Sequence, residues 1–187
     1  MSGHGHIDPT NKKVALLISV LALVLAFSET LGKGEQTAAL SDNIEASNLW
    51  TFFQAKTIRS TTLRTAVETL ELELGQVSRP EDRQATQKRI ADWKSNIARY
   101  DSEPETQEGR KELVARAKIA ERRRDHSFAA YHNYELASAA IQIAIVLASA
   151  EIITGVALLT WIAGGLGLVG LIFCTLGFFA PTAIHLF

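Results

Sequence analysis

Residues 136–159 read LASAAIQIAIVLASAEIITGVALL, roughly 24 nearly continuous apolar positions, the length an α-helix needs to cross a bilayer and more than a water-soluble core requires. Two further apolar stretches have the same character, 14–27 before it and 166–180 after it. Between the first and the second lies a block, 33–132, that holds almost all the charge. Of the 19 Lys and Arg, only Lys12 and Lys13 fall outside it. Charge segregated in this way predicts an integral membrane protein with a polar domain inserted after its first span.

The bulk numbers exclude more than they assign. A length of 187 residues would suit one soluble domain, but the apolar pattern overrides that. A net charge of −1 offers no basic face for nucleic acid. Cys174 is the only cysteine, so no intramolecular disulfide forms. Lys12-Lys13, an apolar run and Ala26-Phe27-Ser28 have the outline of a secretory signal. The helical pattern continues past Ser28, however, so an uncleaved anchor is expected. Ser2, not Gly, follows Met1, which excludes N-myristoylation.

Helix punctuation sets the layout. Asp8-Pro9 reads as a cap followed by proline at the first helical position. Ser78-Arg79-Pro80-Glu81 and Ser102-Glu103-Pro104-Glu105 each join a proline to a Ser-x-x-Glu capping box. Helices are therefore expected over about 9–77, about 80–100, and from about 104 into the second span. Ala46, Leu49, Phe53, Leu63, Val67, Leu70, Leu74 and Val77 follow spacings of three and four, a coiled-coil seam interrupted by Lys56 and Ser60. Ile90, Trp93, Ile97 and Tyr100 repeat the spacing, and Leu113, Ala117 and Ala120 continue it. The outgoing limb, 31–77, makes about 70 Å of helix, and the two returning segments, 81–100 and 105–132, make about 72 Å. Matched lengths predict an antiparallel hairpin that leaves the membrane and returns to it.

The expected fold is thus an all-α membrane protein with three transmembrane helices and a long antiparallel coiled-coil hairpin between the first and second. Its parts are a flexible His-bearing tail (1–12), transmembrane helix 1 (13–31), the hairpin domain (32–133), transmembrane helix 2 (134–160) and transmembrane helix 3 (166–187). A short turn over 161–165 would join the last two.

Each span carries a line of small residues, and in lipid such lines mark close helix–helix contact. They are Ala15, Ser19, Ala22 and Ala26; Ala137, Ala140, Ala144 and Ala148; and Ala163, Gly167, Gly170, Cys174 and Gly177. Counting back from Thr160 puts Glu151 near the bilayer midplane, where a carboxylate costs on the order of 2.5–3.5 kcal/mol. Protonation, or a hydrogen bond inside the bundle, would relieve that cost. Ser19 or Ala22 and Cys174 or Thr175 fall level with Glu151, while Gln142 and Ser138 lie on another face with Glu135, consistent with a further polar contact between subunits. These form a candidate intramembrane polar site, with ion or proton binding as its sharper meaning.

Other groups are weaker candidates. Glu29 and Glu135, with His132 and His185, can meet at the membrane boundary, either as metal ligands or as ordinary interfacial polarity beside Tyr131 and Tyr134. If Met1 is removed, the free amine, His4 and nearby His6 suit Cu or Ni in a square-planar set. Arg122, Arg123 and Arg124 read as a solvated face. No Gly-rich phosphate loop, HExxH or Ser/His/Asp set is present, so no enzyme activity, small-molecule substrate or other cofactor is expected.

Asp8-Pro9, Lys12-Lys13-Val14-Ala15 and, most specifically, the segment from Asn48 through Trp50, Phe52, Phe53, Gln54, Ala55 and Lys56 to Arg59 resemble domain-of-unknown-function family 4337. The likeness covers nearly the whole chain. It implies a bacterial membrane protein with a coiled-coil insert, and supplies no activity. Family members typically carry a longer histidine run than His4 and His6. Trp50 and Phe53 lie three apart on one helix face, with Gln54 and Lys56 beside them. Such a face either packs within the hairpin or docks a partner.

These readings converge on a non-enzymatic scaffold or accessory subunit of the bacterial inner membrane. It would be homo-oligomeric or part of another membrane complex, with the central block cytoplasmic. The alternative is an ion- or proton-conducting assembly that uses Glu151.

Overall fold

The computed structural model describes residues 9–183, with side chains from Lys12 onward, and among these all regular structure is helical. The helices are α1 (Pro9–Leu74), α2 (Pro80–Asp101), α3 (Arg110–Thr154) and α4 (Leu158–Phe179). By length and composition three of them, α1, α3 and α4, can cross a membrane.

The helix ends refine the expected boundaries. α1 stops at Leu74, short of Val77, because Gly75 opens a turn closed by Gln76 N–H donating to the Glu73 carbonyl at 2.8 Å. Proline starts α2 as expected, but Ser78 is not its cap. Arg79 holds that position in an extended conformation (φ −83°, ψ 128°), as the Pro80 ring requires of the residue before it, and makes no side-chain cap bond.

The third helix begins at Arg110, not Pro104. Ser102 is extended (φ −152°), and its hydroxyl donates 2.6 Å to the Glu112 carboxylate rather than capping the next three residues. The Glu103 N–H donates to the same carboxylate at 3.1 Å. One acid in the first turn of α3 thus satisfies the chain end of α2 and complements the α3 dipole. Gly109 is required here, since a Cβ would strike Glu112, the Glu103 nitrogen and Ser102.

The Ser102 hydrogen bond holds the Glu112 carboxyl below the usual carboxylate range. A depressed folded-state value means that the junction's contribution is present above the unfolded value and is lost as pH falls through the folded one. Ser102→Ala should therefore raise the Glu112 pKa, read by NMR titration of that carboxyl. An unmoved titration would refute the assignment.

The turn between the last two helices falls at 155–157, not at 161–165. Gly155 adopts the left-handed conformation (φ 69°), and its N–H donates 2.7 Å to the Glu151 carbonyl, ending α3 as glycine commonly does. Gly164 and Gly165 stay helical inside α4. In an apolar environment no water competes for their backbone groups, so glycine breaks a helix less readily there.

The chain divides into two compact units, one formed by 1–40 with 123–187 and the other by 41–122. In the second unit Leu49, Leu113 and Ala117 form a core flanked by Trp50, Phe52 and Phe53. Lys56 and Ser60, the predicted interruption of the seam, are also buried, at 6% and 1% exposure. The Lys56 ammonium lies 3.6 Å from Glu103 and 3.7 Å from Glu108. It also lies 5.2 Å from the Phe52 ring centroid and 5.6 Å from that of Tyr100, a cation–π arrangement. Arg64 and Arg110 both reach Asp101 at 2.8 Å, and Lys94 reaches Glu71 at 2.6 Å. These more exposed pairs orient the surface and contribute little stability.

In the first unit Val14, Leu21, Ile141, Ala144, Ala148 and Ala163 form the core. The small-residue lines of the second and third spans face inward, but Ala15, Ser19, Ala22 and Ala26 of the first are exposed. Between residues 12 and 32 the buried positions of α1 are instead Val14, Leu21, Ser28 and Gly32. The reason is complementarity: close approach needs a small residue on only one side. A Cβ on Gly167 would lie 2.6 Å from Leu21, one on Gly170 would strike Ile141, and one on Gly177 would lie 3.1 Å from the Tyr134 ring. α4 provides the hollows, and α1 and α3 fill them. Leu16, Val20, Leu23 and Phe27 on α1, with Trp161 and Phe179 on α4, point outward as a broad apolar surface suited to lipid.

Candidate functional site

The richest polar assembly lies in the first unit, where the first and second apolar stretches meet their charged flank. Ser28 is fully buried, and its hydroxyl donates 3.0 Å to the Tyr134 carbonyl. Ser138 donates in turn to the Ser28 oxygen at 3.2 Å. Gln142 donates its amide to Glu29 at 3.0 Å. Glu135 accepts from the Tyr131 hydroxyl at 3.4 Å and lies 3.5 Å from His132 Nδ1. Asn133 donates 3.0 Å to the Pro181 carbonyl, tying α3 to the chain just past α4. An open groove of about 340 Å³ is lined here by Ser28, Glu29, Lys33, Tyr131, Tyr134 and Glu135 among others.

These bonds give the assembly a structural meaning. Ser28 and Ser138 satisfy each other across two helices, where an unpaired hydroxyl in an apolar setting would be costly. Glu29 and Glu135 each hold a neutral or basic partner. The two acids singled out from sequence do lie on this rim, and each is engaged locally. Among the described residues, no group of three or more His, Cys, Asp or Glu side chains can hold a metal ion. His185 lies outside the described residues, as do His4 and His6 with their suggested Cu or Ni site.

The predicted intramembrane site is not assembled. Ser19 and Thr175 are exposed, and each donates to a carbonyl of its own helix, Ala15 at 2.9 Å and Ile172 at 2.8 Å. Gln142 is committed to Glu29. Glu151 is buried, at 6% exposure, with one carboxyl oxygen lacking a hydrogen-bond partner. Its place along the helix differs from expectation, because α3 ends at Thr154. Glu151 therefore stands in the last turn, roughly 5 Å of helix from that end.

The face around Trp50 turns inward in the second unit. Trp50 and Phe53 meet edge to face with centroids 5.7 Å apart, and the indole N–H donates 2.8 Å to Glu121. The Arg110 guanidinium lies 5.3 Å from the Phe53 ring centroid. Lys56 is buried beside them and Gln54 is exposed. Three of the four residues thus serve internal packing.

Sequence reasoning missed Ser28 and Asn133. Ser28 carried a usable signal, since it follows Val14 and Leu21 at intervals of seven on the inward face of α1. Asn133 carried none, because its partner is a backbone carbonyl distant in sequence.

The chain is thus an all-helical protein with three helices long and apolar enough to cross a membrane and a charged block between the first and second. The chain belongs to the family described as Domain of unknown function (DUF4337), whose model matches residues 10–180. No curated protein and no solved structure matches it.

Proposed function

We propose that this protein is a non-enzymatic, self-associating scaffold or accessory subunit of the bacterial inner membrane. Its central block acts as a long antiparallel coiled-coil hairpin on the cytoplasmic side. One observation carries the reading: α1 and α3 each run without a break between an apolar stretch and the charged block. Helices of this length present extended faces on which other chains can pack, which suits a scaffold.

The order of cross-contacts supports the hairpin. Going back along α1 from Glu71 through Arg64, Lys56 and Phe53 to Trp50, the partners advance from Lys94 through Asp101, Glu103 and Arg110 to Glu121. Self-association would use the faces left exposed, including the line Ala15, Ser19, Ala22 and Ala26. The small lines of α3 and α4 are already buried or half-buried within the chain. Light scattering of the detergent-purified protein should return a mass of two or more chains, and a strict monomer would sink self-association.

The second reading, an ion- or proton-conducting assembly, is favoured by the buried, partly unpartnered carboxyl of Glu151. Glu151→Gln separates the two. A scaffold keeps its assembly and shows no proton flux in liposomes before or after the change. A conductor shows flux that the substitution abolishes.

A further inference from the structure

α1 carries a second heptad pattern, on the face opposite its packed one. From Ser41 to Leu72, ten positions alternate at spacings of three and four, and none is Asp, Glu, Lys or Arg. All ten are exposed, and the large ones, Ile44, Ile58 and Leu72, are 61%, 67% and 80% exposed. The segment is otherwise rich in charge, with Asp42, Glu45, Arg59, Arg64, Glu68, Glu71 and Glu73 all lying off this line.

A solvated helix face ordinarily carries Lys and Glu. Here it carries Thr and Ile, which are poorer helix formers, so propensity does not account for the choice. In heptad terms Ile44, Thr51, Ile58, Thr65 and Leu72 occupy d, while Asn48 occupies an a position.

We infer that this outer line of α1 is a parallel, in-register contact with a second copy of the same chain. The inference rests on the self-association proposed above and names its face. Two features point to a like partner. An Asn at a single a position specifies register in a two-stranded coiled coil, and parallel in-register pairing sets Asn48 against its own equivalent. The flanks also tolerate identity. Of the four flanking pairs that such a register brings together between Ser47 and Glu73, only Glu68 with Glu73 is like-charged. Copies inserted in one bilayer share one orientation, so their α1 helices run the same way, as a two-fold axis along the membrane normal requires.

Cysteine crosslinking in the full chain tests this, in a Cys174→Ser background reconstituted into liposomes. Under mild oxidation Ile44→Cys and Ile58→Cys should each form disulfide dimers at least about tenfold faster than Gln87→Cys on the exposed face of α2, since a disulfide needs Cα atoms within about 7 Å. In mixed samples Ile44→Cys should not crosslink to Leu72→Cys. Rates equal to that of Gln87→Cys would overturn the seam. If light scattering of the same sample still shows an oligomer, the seam alone has failed; if it shows a monomer, self-association has failed too. Crosslinking of position 44 to 72 in place of 44 to 44 would overturn the parallel register.

Discussion

Lys56→Glu should lower the stability of the unit formed by 41–122 by about 3 kcal/mol, the lower end of the cost of breaking a buried ion pair. The lower end applies because the partners are not equally enclosed: the side chains of Glu103 and Glu108 are 21% and 49% exposed, so solvent screens the second. The substitution sets a third carboxylate beside these two and removes the cation from the Phe52 and Tyr100 rings. Lys56→Met is the informative control. It keeps the unbranched stem, and its sulfur suits an aromatic surround, so it should stay within about 1 kcal/mol of the parent. Denaturation followed by tryptophan fluorescence reads both, because Trp50 lies in the same core. A Lys56→Glu midpoint equal to the parent's would show that the ion pairs contribute nothing. Met as damaging as Glu would show that the charge itself is required.

Lys56 also shows what was legible in the chain and what was not. The buried line of α1 through Ala46, Leu49, Lys56, Ser60 and Val67 could be read from spacing alone. Spacing does not say how an ammonium is tolerated there, because its partners come from the 102–109 connection. That connection was itself misread as the start of a helix. A Ser-x-x-Glu box reports only that a serine oxygen can accept from the helix N–H groups, whereas the Ser102 hydroxyl donates to Glu112, ten residues away. Proline at the start of α2 was legible because its constraint is local.

The same limit governs the apolar half of the chain. Small residues were visible in all three spans, and in α3 and α4 they do mark the packed faces. In α1 they do not, since a hollow on one helix calls for a knob on the next and the pattern of one span cannot say which it supplies. The end of the helix that carries Glu151 differs from the sequence reading for a related reason. Leu158, Leu159 and Thr160 continue the apolar run of the second span by composition, but Gly155 ends the helix before them. Hydropathy counts residues, while backbone conformation decides where the helix stops.

Gly170→Val is expected to have the largest effect among substitutions in the spans, about 3 kcal/mol or more from overpacking. A Cβ at this position strikes Ile141 and approaches the Ala137 carbonyl to 3.1 Å, and a backbone atom cannot rotate out of the way. Gly167→Ala meets only the end of the Leu21 side chain, at 2.6 Å, which can change rotamer, so about 1 kcal/mol is expected. Gly164 has nothing within 4 Å, and Gly164→Ala should be neutral or slightly stabilising through helix propensity. Unfolding in mixed micelles, followed by Trp161 on α4, ranks the three. Between helices in lipid no hydrophobic force restores a displaced contact, so a lost fit separates the helices instead of merely loosening them. If Gly170→Val and Gly164→Ala unfold alike, α4 is not held by its glycine hollows, and the small residues of the third span have no packing role.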